Sequence, residues 1–151
     1  MTEQRRAIGR QNVGDFLRAQ KWAVVSTVSA NGGPQSAVIG VAATESFEVI
    51  FDTLSSSRKA ANLRADARVS LVIGGLDGSV RTVQYEGVAD FPDGQALEDV
   101  KRVYYAAFPD GPDRLLWSGI TYVRVRPRWI RFSDFSVQPP QIAEFVFDDR
   151  S

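Results

Sequence analysis

The chain has 151 residues, 44% of them apolar and 24% charged, with 18 cations balancing 18 anions. That length suits one domain, residues 1–151, with a real core, and zero net charge argues against a general nucleic-acid or membrane-surface binder, since both need a cationic excess. Without cysteine or histidine, disulfides, thiolate or imidazole zinc sites, cysteine nucleophiles and Ser-His-Asp triads are excluded. Any catalysis rests on carboxylates, hydroxyls, arginine, lysine, tyrosine or a borrowed cofactor. Residues 1–6 lack the apolar core of a signal segment. No apolar run approaches the roughly 20 residues of a membrane span, so a cytoplasmic protein is expected.

Residues 1–10 read as an N-terminal arm. Asn12 to Gln20 is predicted as a short helix, capped by Asn12, with Val13, Phe16 and Leu17 on one face. Trp22 to Ala30 alternates as a strand, with Trp22, Val24, Ser26 and Val28 on one side. Asn31-Gly32-Gly33 is a turn signal, because these residues tolerate positive φ. Gln35 to Ala43 returns as a second strand, and Phe47 to Thr53 follows as a third. A helix then runs to about Asp66, and Arg68 to Ile73 is a short apolar strand. Ser79 to Phe91 is a long strand in which Gly87 marks a bulge. Asp93 is placed as the cap of a helix reaching Ala107, with Leu97, Val100, Tyr104 and Phe108 on its buried stripe. Pro112 suits the first turn of a very short helix to Trp117. Gly119 to Arg126 and Arg128 to Phe135 read as two strands around Pro127, and Trp129 reads as core. Residues 136–151 form a tail broken at Pro139-Pro140, whose Ile142, Phe145, Val146 and Phe147 predict docking. The early strands are consecutive, so a doubly wound parallel sheet does not fit. A mainly β fold is expected: an antiparallel barrel of about six or seven strands with peripheral short helices.

The chemistry concentrates where the third strand ends. Phe51-Asp52-Thr53 is followed by Leu54-Ser55-Ser56-Ser57, then by Arg58-Lys59 at the head of the helix former run Ala60-Ala61-Asn62-Leu63. Serines supply N-cap oxygens. Cations in a first helical turn sit at the positive end of the helix, where each costs roughly 0.3–1 kcal/mol. An anion in the loop reverses that sign, because free N–H groups, hydroxyls, a guanidinium and an ammonium then converge on it. The plainer alternative is a solvated surface helix whose cations reach into water. Asp52 has the chemistry of an acid or base, but its alternation with Ile50 favours an ordinary strand-end carboxylate.

This stretch, with its Ser57-Arg58-Lys59 motif, resembles the pyridoxamine 5′-phosphate oxidase-like, flavin mononucleotide (FMN)-binding split-barrel family. Pro34-Gln35-Ser36-Ala37-Val38 and Arg81-Thr82-Val83-Gln84-Tyr85-Glu86-Gly87 also look similar to family segments, and the likeness spans roughly Phe16 to Phe135. The resemblance implies FMN as cofactor, its phosphate held by Thr53, Ser57, Arg58 and Lys59. It implies a ring bordered by the backbone of Val38 and Ile39 and by the side chains of Thr82 or Gln84, although these last two also fit a solvated strand face. It further implies an FMN-dependent oxidoreductase with a small-molecule substrate or electron donor, and a homodimer with cofactor sites between subunits. Tyr104, Tyr105, Phe108 and Trp117 then belong either to that interface or to the chain's own core. Vitamin B6 oxidases carry two further cations where this chain has Ala37 and Ala42, and an Arg-Leu-His type substrate grip where it reads Phe132-Ser133-Asp134-Phe135-Ser136-Val137. Pyridoxamine phosphate is therefore not the expected substrate. The alternatives are a non-catalytic flavin carrier or sensor, and a binder of deazaflavin or, less well matched without an axial histidine, of haem.

Overall fold

The computed structural model describes residues 7–148. The outer part of the expected arm, residues 1–6, and residues 149–151 of the tail lie outside the described residues. Helix α1 spans Arg10–Ala19. It starts earlier than predicted, because Gly9 is the N-cap and Asn12 holds the helix start from inside, its Oδ1 accepting from the Gly9 N–H at 3.0 Å. Strand β1 is Trp22–Val28. Its Ala23, Val25 and Thr27 face inward, so the predicted set Trp22, Val24, Ser26 and Val28 is the outward one.

The second predicted strand is two. β2, Pro34–Gly40, pairs with β1, and β3, Ala42–Ala43, pairs with β4, Val49–Leu54. Between them Val41 leaves both ladders and donates its N–H to the Lys21 carbonyl at 2.8 Å. Phe47 does not begin β4 as expected. It has φ 66°, the left-handed turn region. Helix α2 is Arg58–Ala65, and β5 is Arg68–Ile73. β6, Arg81–Asp90, slips register between Glu86 and Gly87, which is the expected bulge. Helix α3, Gly94–Ala107, starts at Asp93, whose side chain makes no capping bond. A 3-10 helix, Gly111–Leu116, leads into β7.

β7 runs unbroken from Ile120 to Asp134, where two strands were expected. Proline is tolerated in a strand where no ladder needs its N–H. On one edge of β7, β4 pairs with residues 120–125 and the tail pairs with residues 129–134, so Pro127 falls in the gap between them. On the other edge Pro127 faces Gly87 at the bulge. The tail docks as a strand, β8, Gln141–Val146, bringing the described strands to eight.

The sheet order is β2-β1-β5-β6-β7-β4-β3, with β8 added on β7, and every pairing is antiparallel. Its two ends, β2 and β3, are halves of one bent stretch, so the sheet curls on itself into a barrel. Val25, Val49, Phe51, Val83, Val123 and Ile130 fill the inside. Outside, Ala42, Ile50, Val100, Tyr104 and Tyr122 form a second cluster under α3. β4 is therefore buried on both faces, which its run Val49-Ile50-Phe51 anticipates.

Tyr85 ties the barrel to the turn before β4. Its hydroxyl donates to the carbonyls of Phe47, at 2.7 Å, and Val125, at 3.1 Å. Burial pushes its pKa well above the ordinary tyrosine value, and burial also raises those of Tyr104 and Tyr122. All three are neutral in the fold past the point, about pH 10, where an unfolded chain ionises. Stability is unaffected below that pH and falls as the pH rises above it, because the unfolded state then binds fewer protons. Melting temperatures recorded from pH 7 to about 12 should stay level and then drop steeply above about 10. Tyr85→Phe should lower the neutral-pH value, by about 1–2 kcal/mol of stability, and flatten the alkaline drop. An equally steep drop in that variant would show that Tyr85 is not a source of it.

Candidate functional site

The loop after β4 is built by backbone bonds. The Ser55 N–H donates to the Gly119 carbonyl at 2.7 Å, tying the loop to the start of β7, and the Ser57 N–H closes a tight turn onto the Leu54 carbonyl at 2.9 Å. Ser57 is the N-cap of α2, its Oγ accepting from the Ala60 N–H at 3.2 Å. The same hydroxyl lies 3.1 Å from Thr53 Oγ1, which also accepts from Lys59 Nζ at 3.3 Å. Arg58 turns to β2 and donates from Nε to Gln35 Oε1 at 3.0 Å. The structure thus brings Thr53, Ser57, Arg58 and Lys59 together, with both cations in the first turn of α2. Among the described residues neither cation meets a carboxylate at ion-pair distance.

Three residues join them that sequence reasoning did not select as site residues. Asn62, buried one turn along α2, donates through Nδ2 to Thr27 Oγ1 and to Gln35 Oε1, each at 2.9 Å. Thr27 and Gln35 are register partners across β1 and β2. The spacing of Arg58 and Asn62 already places them on one helix face, but only the strand register brings Gln35 and Thr27 under it. Thr27, Pro34, Gln35, Ala37, Arg58 and Lys59 line a cleft of about 370 Å³, at the lower end of the range for small-molecule sites.

Two larger clefts, of about 790 and 730 Å³, lie elsewhere. Their cations are engaged: Arg126 with Glu48 and Asp90, Arg81 with Asp134, and Arg10 with the Val146 carbonyl and the rings of Phe145 and Phe147. Charge available for a ligand therefore favours the smaller cleft.

The remaining expected site residues are spread out. Ile39 is in the barrel core, while Val38 on the same strand is 63% exposed on the outer face. Thr82 and Gln84 also face outward, from β6, and do not line the cleft. The registers put Val38, Val24, Val72, Gln84 and Arg131 in one row across the outer face. Val38 and Gln84 are three strand spacings apart in it, about 14 Å.

Asp52 points the opposite way from Thr53, as strand neighbours do, and is no ordinary strand-end carboxylate. It accepts from Arg114 Nε at 2.5 Å and from the Tyr104 hydroxyl at 3.0 Å, beneath α3. Ala37 lines the cleft, whereas Ala42 belongs to the cluster under α3. Trp129 is not core. It is half-buried on the outer side, in register with Glu86 and Val146. Tyr104 is buried and stacks on Phe108 at 4.9 Å, while Trp117 is 55% exposed.

Solved structures share this architecture. A haem-binding protein from Mycobacterium smegmatis superposes with a TM-score of 0.77 at 14% identity, covering 93% of this chain and 59% of that one, so the chain spans less than two thirds of that relative. The conserved hypothetical protein Rv2991 from Mycobacterium tuberculosis gives 0.71 at 25% identity, covering 89% and 91%. An F420 reductase gives 0.59 at 16% identity, covering 77% and 93%. A search of curated protein sequences finds no match. The family profile described as pyridoxamine 5′-phosphate oxidase matches residues 10–133, a span running from α1 to the end of β7 and enclosing the whole cleft. By that match and by its barrel, the chain belongs to the pyridoxamine 5′-phosphate oxidase family.

Proposed function

We propose that the protein, as one domain, binds FMN and works as an oxidoreductase on a small-molecule substrate other than pyridoxamine phosphate. The observation that carries this is the pair Arg58 and Lys59, held at the positive end of α2 beside two hydroxyls with no carboxylate near them among the described residues. A phosphate monoester fits that donor set. Arg58 and Lys59 neutralise it, while Thr53 donates to Ser57 Oγ and the Ser57 hydroxyl donates on to the phosphate. The flavin, when bound, supplies the redox chemistry, and the protein binds and orients it. The backbone of Val38 and Ile39 on β2 borders the ring. The proposal includes a homodimer joined through the outer face, in which a second copy brings its Thr82 and Gln84 to the ring. Exposed Trp22, Val38 and Val72 on that face support it. Asp134, in the segment that matches the substrate grip of vitamin B6 oxidases, is engaged by Ser136 and Arg81. Among the described residues no helix is long and apolar enough to cross a membrane, and a cytoplasmic setting completes the proposal.

A second reading, a flavin or deazaflavin carrier without turnover, is favoured by one observation: among the described residues no carboxylate or tyrosine lines the cleft. The F420 reductase fold supports the deazaflavin version. A bound-flavin spectrum that bleaches with NADH or NADPH and recovers in air supports the oxidoreductase. A flavin spectrum that neither donor bleaches supports the carrier.

Arg58→Ala should weaken FMN binding about tenfold or more, the loss of one charge-assisted contact. Stability should move by less than about 0.5 kcal/mol, because the side chain is exposed. Flavin fluorescence titration beside a urea melt checks both. An unchanged dissociation constant would remove Arg58 from the site.

A further inference from the structure

Gln35 lines the cleft from β2 and takes two side chains of the cation-bearing α2 at a single atom. Its Oε1 accepts from Arg58 Nε at 3.0 Å and from Asn62 Nδ2 at 2.9 Å. A carboxamide oxygen has two lone pairs, and both are used. Flipping the amide would set its NH2 against a guanidinium and another amide NH2, donor against donor, so the network fixes its orientation. Asn62 is itself anchored on Thr27 at 2.9 Å and buried. The Nε2 group is left with two N–H donors and, among the described residues, no acceptor. Gln35 is half-buried and lines the cleft that Arg58 and Lys59 also line. Arg58 is held there by Nε, which leaves its two terminal nitrogens for a ligand.

The geometry points to Gln35 as a direct ligand-binding residue, its NH2 group donating to the phosphate monoester that Arg58 and Lys59 neutralise. This rests on the FMN reading and extends it. Gln35 fixes the guanidinium with its oxygen and reads the ligand with its nitrogen. A neutral donor adds hydrogen bonds without a third cation, so the charge of the clamp still matches a dianionic monoester. Binding therefore discriminates FMN from riboflavin, which lacks the phosphate.

The test uses the full chain, Gln35→Met and Gln35→Glu, with FMN and riboflavin as probes. Gln35→Glu keeps both acceptor bonds and serves as the folding control. It also assigns the Gln35 NH2 signals in a proton–nitrogen NMR spectrum by their disappearance. Saturation of the parent protein with FMN should move those signals. Gln35→Met should weaken FMN binding roughly tenfold, the loss of a hydrogen bond to a charged group, while riboflavin binding stays within about twofold. NH2 signals that stay in place at FMN saturation overturn the inference. So does FMN binding by Gln35→Met within about twofold of the parent, or an equal loss for riboflavin, which would put the amide on the ring. In each of those cases the parent still binds FMN and the proposed function stands. A parent protein that binds no FMN overturns both.

Discussion

Arg114→Ala should lower the stability of the protein by about 3–5 kcal/mol, the cost of leaving a buried charge without its partner. The side chains of Arg114 and Asp52 are only 16% and 14% exposed. Arg114 uses its whole fork: Nε on Asp52 at 2.5 Å, one terminal nitrogen on Asp110 at 2.9 Å and the other on the Tyr104 hydroxyl at 3.3 Å. The Asp52 bond is the first cause of a guanidinium pKa raised above the ordinary arginine value. Truncation strands the Asp52 carboxylate beneath α3 with a single donor, Tyr104. Lysine cannot reproduce the fork, so Arg114→Lys should recover only part of the loss. Removing both charges in Asp52→Leu/Arg114→Met should recover more than half, because a buried pair replaced by apolar groups is often close to neutral. Urea unfolding of the three variants checks this. A loss below about 1 kcal/mol for Arg114→Ala, the value of an exposed pair, would show that the pair is solvated.

The second large effect is steric. A Cβ placed on Gly87 would lie 2.4 Å from the Arg126 carbonyl oxygen, 2.8 Å from Val125 Cγ1 and 3.0 Å from the Tyr85 ring. The nearest of these is backbone on the neighbouring strand and cannot swing away. Glycine is needed here for space, at the bulge where β6 crosses the proline gap of β7. Gly87→Ala should cost about 3 kcal/mol, the upper end of overpacking penalties, or roughly 6–12 °C of melting temperature for a chain of this size. A melting temperature within about 2 °C of the parent would mean that the bulge relaxes to make room.

Local chemistry made much of the fold legible. The turn residues Asn31-Gly32-Gly33, the Gly87 bulge and a serine cap before α2 are each written in a few neighbouring residues, and the structure has the turn and the bulge at those places and the cap at Ser57. What was not legible depends on partners distant in sequence. Pro127 reads as a strand break until β4 and β8 are seen to leave a gap at it. Phe47 reads as strand because nothing nearby shows that Tyr85, 38 residues away, holds its carbonyl in a turn. Trp129 reads as core because an aromatic residue between strand formers usually is, yet its register puts it on the outer side beside Glu86 and Val146. The candidate site divides in the same way. Thr53, Ser57, Arg58 and Lys59 lie within one loop and one helical turn, so their convergence is local. Gln35 and Thr27 reach them only through the pairing of β1 with β2 and the packing of Asn62 between them.

A structure of the protein crystallised with excess FMN is the most direct test of the phosphate clamp. It should show phosphate oxygens about 2.7–3.1 Å from the Lys59 ammonium, the terminal nitrogens of Arg58 and the Ser57 hydroxyl. FMN seated in another cleft, with the turn between Thr53 and Lys59 open to solvent, would contradict the assignment.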